Sequence, residues 1–304
     1  MNVYHNITSR CSGRKKTPLN SVLCLKNTHE MKIIRVVENP IYDFPCFIAS
    51  PRGRGVEYQN IPLINIMADY LPAGLDAIIA GSDFQARDRP AEDGKLIGFA
   101  ISEELKVLSE CQALPPSENT GVMLAGDFFC APGLGRRGGS GDVQDVWRAF
   151  GDAFGWVVGV AGNHDRFCGM HEIPDPVHCP VSASVLDGDI CERNSLSVGG
   201  ISGIVGNPRK RWRTSEDVFV RKIDDLTEKS ADILILHEGP SVPEIGAEGN
   251  DGIRARLDSV RNDMIVVSGH THWSRVFYQI NKNVQAINVD FRVVIITEKE
   301  IDTI

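Results

Sequence analysis

The 304-residue chain is 42% hydrophobic and 24% charged with a formal net charge of −8, the balance of a soluble globular protein able to bury a substantial core. The acidic balance argues against a general nucleic-acid coat, and no apolar run reaches the roughly 18 residues that a membrane helix requires. The eight cysteines, Cys11, Cys24, Cys46, Cys111, Cys130, Cys168, Cys179 and Cys191, include no Cys-x-x-Cys pair. They are expected to be reduced thiols of a cytoplasmic protein rather than a disulfide framework.

Residues 1–30, with the polar and basic stretch ITSRCSGRKKTPLN, carry no periodicity and are expected to form a loose tail. A targeting segment or a nucleic-acid-binding arm is the alternative, but nothing amphipathic accompanies the charges. Residues 31–304 are expected to form one domain, with its core at about 76–300 and residues 31–75 as added elements. KIIRVV and FPCFIAS read as short strands, and IPLINIMADYL as a helix with one apolar face. From LDAIIAG onward, apolar strands alternate with amphipathic helices. The first helix spans roughly 95–113, with Leu96, Ile97, Ala100, Leu105, Leu108 and Cys111 near one stripe. GVMLAG, a Gly-rich loop, the helical DVQDVWRAFGDAF and the strand WVVGVAG follow. A β-rich stretch comes next, with turns signalled at Asp187-Gly188 and Gly199-Gly200. A helix at about 215–228 then begins where Thr214 and Asp217 resemble a capping box. DILILHEGP, a short helix near 250–260, MIVVSGHTHW and closing strands complete the chain. Strands and helices in this alternation imply an α/β domain whose strands are covered on both faces.

Five strand ends carry polar residues: GSDFQ (81–85), AGDFF (125–129), AGNHD (161–165), LHEGP (236–240) and SGHTH (268–272). Each places Asp, Asn or His just past an apolar strand, at the edge where open α/β sheets bind ligands. The donors are oxygen and nitrogen without sulfur, which suits divalent catalytic ions better than a structural zinc. Each motif alone has a bland explanation. A Gly-Asp after a strand is usually a turn, a single His a hydrogen-bonded core or loop residue, and GNHD an Asx-capped turn. Coincidence is a poor account of all five in one order at five strand ends.

In that order the motifs resemble those of the calcineurin-like metallophosphoesterases, over roughly residues 76–300 and with four of the five intact. The departure is Gln85, where that family carries His. The resemblance implies an α/β fold: a four-layer α-β-β-α sandwich with two mixed sheets and its site at the C-terminal strand ends. It implies a phosphoesterase acting on mono- or diesters with two divalent ions, Mn²⁺ ahead of Mg²⁺, Fe, Zn²⁺ and Ni²⁺. Residue by residue, it implies one metal on Asp83, Gln85, Asp127 and His272, and a second on Asp127, Asn163, His237 and His270. His164 would face the leaving group, oriented by Asp165. A shared Asp127 is chemically sensible, because a carboxylate can span two cations and an imidazole gives each metal only one nitrogen. Gln85 keeps its ligand position neutral but offers a harder, weaker amide oxygen, which should loosen that metal and bias it toward Mn²⁺ or Mg²⁺ over Zn²⁺.

The Gly-rich APGLGRRGGSGD (131–142) lacks the Lys-Ser/Thr of a P-loop. It is expected to form a rim of the site where Arg136 and Arg137 touch substrate phosphate. In NPRKRWRTSED (207–217), Arg209, Lys210 and Arg213 surround Trp212, a combination that could hold a phosphate and stack a base. A solvated basic loop is the alternative there, as it is for His171 and His178. The expected partner is a small phosphorylated substrate, nucleotides included, with no membrane and with nucleic acid disfavoured. Two rival readings are a degenerate scaffold or binding protein that keeps the fold, and a nuclease of the same superfamily. Gln85 favours the scaffold; Asp127 and His164 argue against it.

Overall fold

The computed structural model describes residues 31–50, 55–135, 138–167 and 183–304. Residues 1–30, Arg136, Arg137, His171 and His178 therefore lie outside the described residues. Strands β1 (Ile33–Val36), β2 (Tyr42–Ala49), β3 (Val56–Ala68) and β4 (Ala77–Ser82) precede helix α1 (Ile97–Glu110). β5 (Thr120–Leu124), β6 (Gly141–Asp142), helix α2 (Gln144–Ala153), β7 (Trp156–Gly159) and β8 (Asp165–Arg166) follow. Next come β9 (Ala183–Val185), β10 (Asp189–Arg193), β11 (Leu196–Ile201), β12 (Ile204–Val205), β13 (Arg213–Thr214) and helix α3 (Glu216–Glu228). β14 (Ile233–Glu238), helix α4 (Asp251–Ser259), β15 (Met264–Gly269), β16 (Phe277–Gln279), β17 (Val284–Asn288) and β18 (Arg292–Thr297) complete the order.

Two mixed sheets carry the fold. One has eight strands in the order β1-β3-β18-β4-β5-β7-β9, with β2 also paired to β3; the other has six, β10-β11-β14-β15-β17-β16. Every residue of β4, β5 and β15 is buried, as strands covered on both faces require. Alternate residues build successive layers. Ile79, Val122 and Val157 pack on Ile101 and Leu105 of α1 and Val146 and Trp147 of α2. Their neighbours Ile78, Met123 and Val158 face the other way, against Val198, Ile235 and Val267 of the second sheet. The far side of that sheet, through Leu234, Leu236 and Val266, covers Phe219 and Ile223 of α3 and Ile253 and Leu257 of α4. The order of layers is thus α-β-β-α.

Three local expectations are corrected. IPLINIMADYL does not form a helix; its first part lies in β3. Ile61 and Leu63 face the helices' core while Ile66 and Ala68 face the core between the sheets. Two buried faces leave no polar stripe, so periodicity cannot separate strand from helix, and pairing with β2 on one edge and β18 on the other decides. Gly199-Gly200 is not a turn but part of β11, because a Cβ on Gly200 would stand 2.7 Å from Val160 where the sheets meet closely. The hairpin turn falls at Asn194-Ser195, both left-handed with φ of 47° and 65°. Finally, the N-cap position of α3 is Ser215 rather than Thr214, with no side-chain cap bond. β1–β3, drawn from residues 31–75, are integral members of the eight-stranded sheet. Among the described residues no helix is long and apolar enough to cross a membrane, and Cys46, Cys111, Cys130 and Cys191 are free.

Candidate metal centre

The ends of β4, β5, β14 and β15 meet the turn after β7 at one edge of the sandwich. Asp83, Asp127 and His270 each leave their strand with left-handed backbone, at φ of 58°, 60° and 65°. Such non-glycine conformations cost about 1–3 kcal/mol each and persist only where the surroundings enforce them. Here an amide of one strand end bonds to a neighbouring one: Asp83 N–H donates to the Gly126 carbonyl (2.8 Å) and His270 N–H to Asp83 Oδ2 (2.7 Å). As a result, donor atoms of Asp83, Asp127, His237 and His270 all lie within 4.8 Å of one another.

Asp127 is at the centre. Its Oδ1 accepts the His164 backbone N–H (2.8 Å); its Oδ2 lies 3.1 Å from Gln85 Nε2 and 3.4 Å from His237 Nε2. The loop that presents it is held by Asp165, fully buried, whose carboxylate accepts N–H groups from Asp127 (2.8 Å), Phe128 (2.9 Å) and Gly162 (2.9 Å). Gly162 is required there, since a Cβ would stand 2.0 Å from Asp127 Oδ1. Asp165 therefore organises the Asp127 loop, and its described side-chain bonds go to these backbone groups rather than to the His164 ring. That ring's described contact is Ser140 Oγ, 3.4 Å from Nδ1.

His237 is fully buried, and its Nδ1–H donates to the Ala125 carbonyl (2.7 Å). Nε2 then faces two oxygens, Asn163 Oδ1 at 3.2 Å and Asp127 Oδ2 at 3.4 Å. Two acceptors aimed at one nitrogen need positive charge between them, either a proton or a cation. Burial opposes a proton on His237, yet the Asp127 carboxylate outweighs it and lifts the imidazole to about 10. Burial, then the charge on His237, pushes His270 down to about 4. Asp83 is pushed well above the usual carboxylate range by burial and by Asp290, whereas for Asp127 the attraction of His237 overcomes burial and lowers it. Burial and the Asp127 charge raise Asp165 to about 6 despite its three backbone donors. This set of converging oxygens and imidazole nitrogens fits a divalent cation.

The rest of the expected ligand set is arranged differently. Gln85 offers Asp127 its amide nitrogen, so its oxygen faces away from that carboxylate. His272, 59% exposed at its side chain, stands outside the four-residue cluster. Its Nδ1 is 3.0 Å from Asp290 Oδ2, and Arg292 Nη2 is 3.2 and 3.0 Å from its two ring nitrogens. Sequence reading missed Asp290 and Arg292, because NVDFR carries no Gly-Asp or His signal. They are placed by the pairing of Arg292 with Ser82 and the bridge between Ser82 and Asp290. Of the basic stretch, Trp212 donates its indole N–H to the Asp165 carbonyl (3.0 Å), and Arg209 is exposed.

A family model described as calcineurin-like phosphoesterase matches residues 99–274, more than half of the chain. The chain belongs to the calcineurin-like phosphoesterase family. The matched span includes Asp127, Asn163, His164, His237, His270 and His272; Asp83 and Gln85 precede it. No curated protein matches the chain. Among solved structures it is similar to the sulfate thiohydrolase SoxB of Thermus thermophilus in complex with glycerol, at 14% identity and a TM-score of 0.37. That likeness covers 68% of this chain and 39% of the SoxB chain, so this calcineurin-like phosphoesterase spans well under two thirds of that structure. The mixed α/β sandwich and the Asp83–Asp127–His237–His270 cluster fit a metal-dependent hydrolase.

Proposed function

We propose that this calcineurin-like phosphoesterase hydrolyses phosphate mono- or diesters. The observation that carries the reading is the convergence of Asp83, Asp127, His237 and His270 at one sheet edge. Asn163 would join Asp127, His237 and His270 around one cation, and Asp83, Asp127, Gln85 and His272 would hold the other. Divalent cations bound there, Mn²⁺ foremost, would polarise a phosphoryl oxygen and make hydroxide available near neutral pH. Asp127 is suited to span the two positions because its carboxylate is fixed by the Asp165-braced loop. The Nδ1–H bond of His237 to Ala125 keeps Nε2 directed at the cluster. His164, on the turn that supplies Asn163, can protonate or stabilise the departing alkoxide.

A second reading, a weakened family member kept for binding, is favoured by the Gln85 and His272 geometry. A panel of aryl mono- and diesters, nucleotides and cyclic nucleotides, assayed with Mn²⁺, Mg²⁺, Zn²⁺ and Ni²⁺, separates the two. Turnover that disappears in Asp127→Ala supports the hydrolase; no turnover of any substrate with any metal supports the binding protein.

A further inference from the structure

The basic stretch before α3 supplies no ligand to the metal cluster, yet it walls a cleft of about 330 Å³. Lys210, Arg211 and Arg213 come from this stretch, Lys222 comes from α3, and Asp187 is the one acid among the described residues of the lining. Asp187 is already engaged, with Lys222 Nζ at 2.6 Å and the Ser202 N–H at 3.2 Å. Among the described residues, the side chains of Lys210 and Arg213 have no carboxylate partner, and Arg213 is half-buried. Among the described lining residues, four cations stand against one acid, a sharp local reversal in a chain of net charge −8. Like charges gathered in a half-enclosed space repel one another, and an anion between them turns that repulsion into attraction. Arg213 can bind two oxygens of a tetrahedral oxyanion side by side, while the lysines act as adjustable point charges. Trp212 is anchored by its N–H to the Asp165 carbonyl, with Arg211 5.7 Å from its ring centre.

The cleft and the metal centre share a partition, the turn at 161–165. Ala161 N–H donates to Ser202 Oγ (2.9 Å), Gly203 N–H to the Ala161 carbonyl (2.8 Å), and Trp212 to Asp165. We infer that this cleft binds a phosphate or pyrophosphate group other than the one hydrolysed at the metal centre. Its effect on turnover rests on the hydrolase reading above; its binding does not.

The test therefore starts with full-length protein stripped of metal by EDTA, titrated calorimetrically with inorganic phosphate and with pyrophosphate. Saturable binding is expected, weakened about tenfold or more by Arg213→Ala or Lys210→Ala. Asp187→Asn removes a negative charge from the cleft and is expected to tighten it, and Asp127→Ala to leave it unchanged. Absence of saturable binding in the unmodified protein, or affinity unmoved by all three cleft substitutions in variants of unchanged melting temperature, overturns the inference. Loss of binding in Asp127→Ala alone assigns the anion to the metal centre and overturns it too. In metal-loaded enzyme, Arg213→Ala raising KM more for a substrate with two phosphates than with one identifies the anion as part of the substrate. Free phosphate altering the rate of unmodified enzyme but not of Arg213→Ala identifies a separate effector. If nothing is turned over, the hydrolase reading fails while the metal-free titration still decides the cleft.

Discussion

On the β14–β15 side of the metal centre, donor atoms sit at buried strand ends and point at one another across a space that needs positive charge. On the β4–β18 side, polar groups are satisfied mutually: Gln85 bonds Asp127 through nitrogen, and His272 is held by Asp290 and Arg292. The first arrangement can accept a cation with little movement. The second must rotate an amide and separate an imidazole from a guanidinium first. Preorganisation, not the count of ligand residues, therefore sets the expected order of occupancy.

Four experiments would break or sharpen that contrast. Asp127→Ala removes the group common to both sides, and hydrolysis is expected to fall about 10³-fold or more, the upper range for one electrostatic contact. A residual rate near normal in metal-loaded enzyme would dissolve the distinction between the sides. His164→Asn should slow hydrolysis about 10²-fold or more for an alkyl leaving group, and less for a nitrophenyl ester that needs no proton. Cation affinity on the β14–β15 side should rise with pH. His237 holds a proton up to about 10 when no metal is bound, and a ligating nitrogen must lose it. Below that value one proton leaves per cation, so each lower pH unit weakens binding about tenfold, readable by calorimetry in buffers of different ionisation enthalpy. Smallest is the expected effect on the other side. Asp290→Asn should weaken the lower-affinity cation about tenfold, and Gln85→His should tighten it. Two equally tight sites in the unmodified protein would remove the contrast altogether.

The candidate cluster was legible in sequence because each ligand stands at the end of a short apolar strand, with a small residue before Asp83, Asp127 and His270, a local signal. The strands β4, β5, β7, β14 and β15 were legible for the same reason. β3 was not, because a strand buried on both faces has no polar side to reveal its period. Asp290 and Arg292 escaped because their importance comes from β18 lying beside β4, a contact between residues more than 200 apart in sequence. The bracing of the Asp127 loop by Asp165 was not legible, because backbone N–H partners leave no trace in side-chain identity.

The placement of β18 has one more consequence. It pairs with β3 on one edge and with β4 on the other, so the eight-stranded sheet is closed by its most distal strand in sequence. A ribosome adding about 5–20 residues per second leaves the facing edges of β3 and β4 uncovered for on the order of ten seconds or more. Those edges are apolar and unpaired, a template for aggregation unless a chaperone shields them. The β4 side of the metal centre would consequently be completed only once β18 has been made, so metal ions present during synthesis would meet the β14–β15 side first.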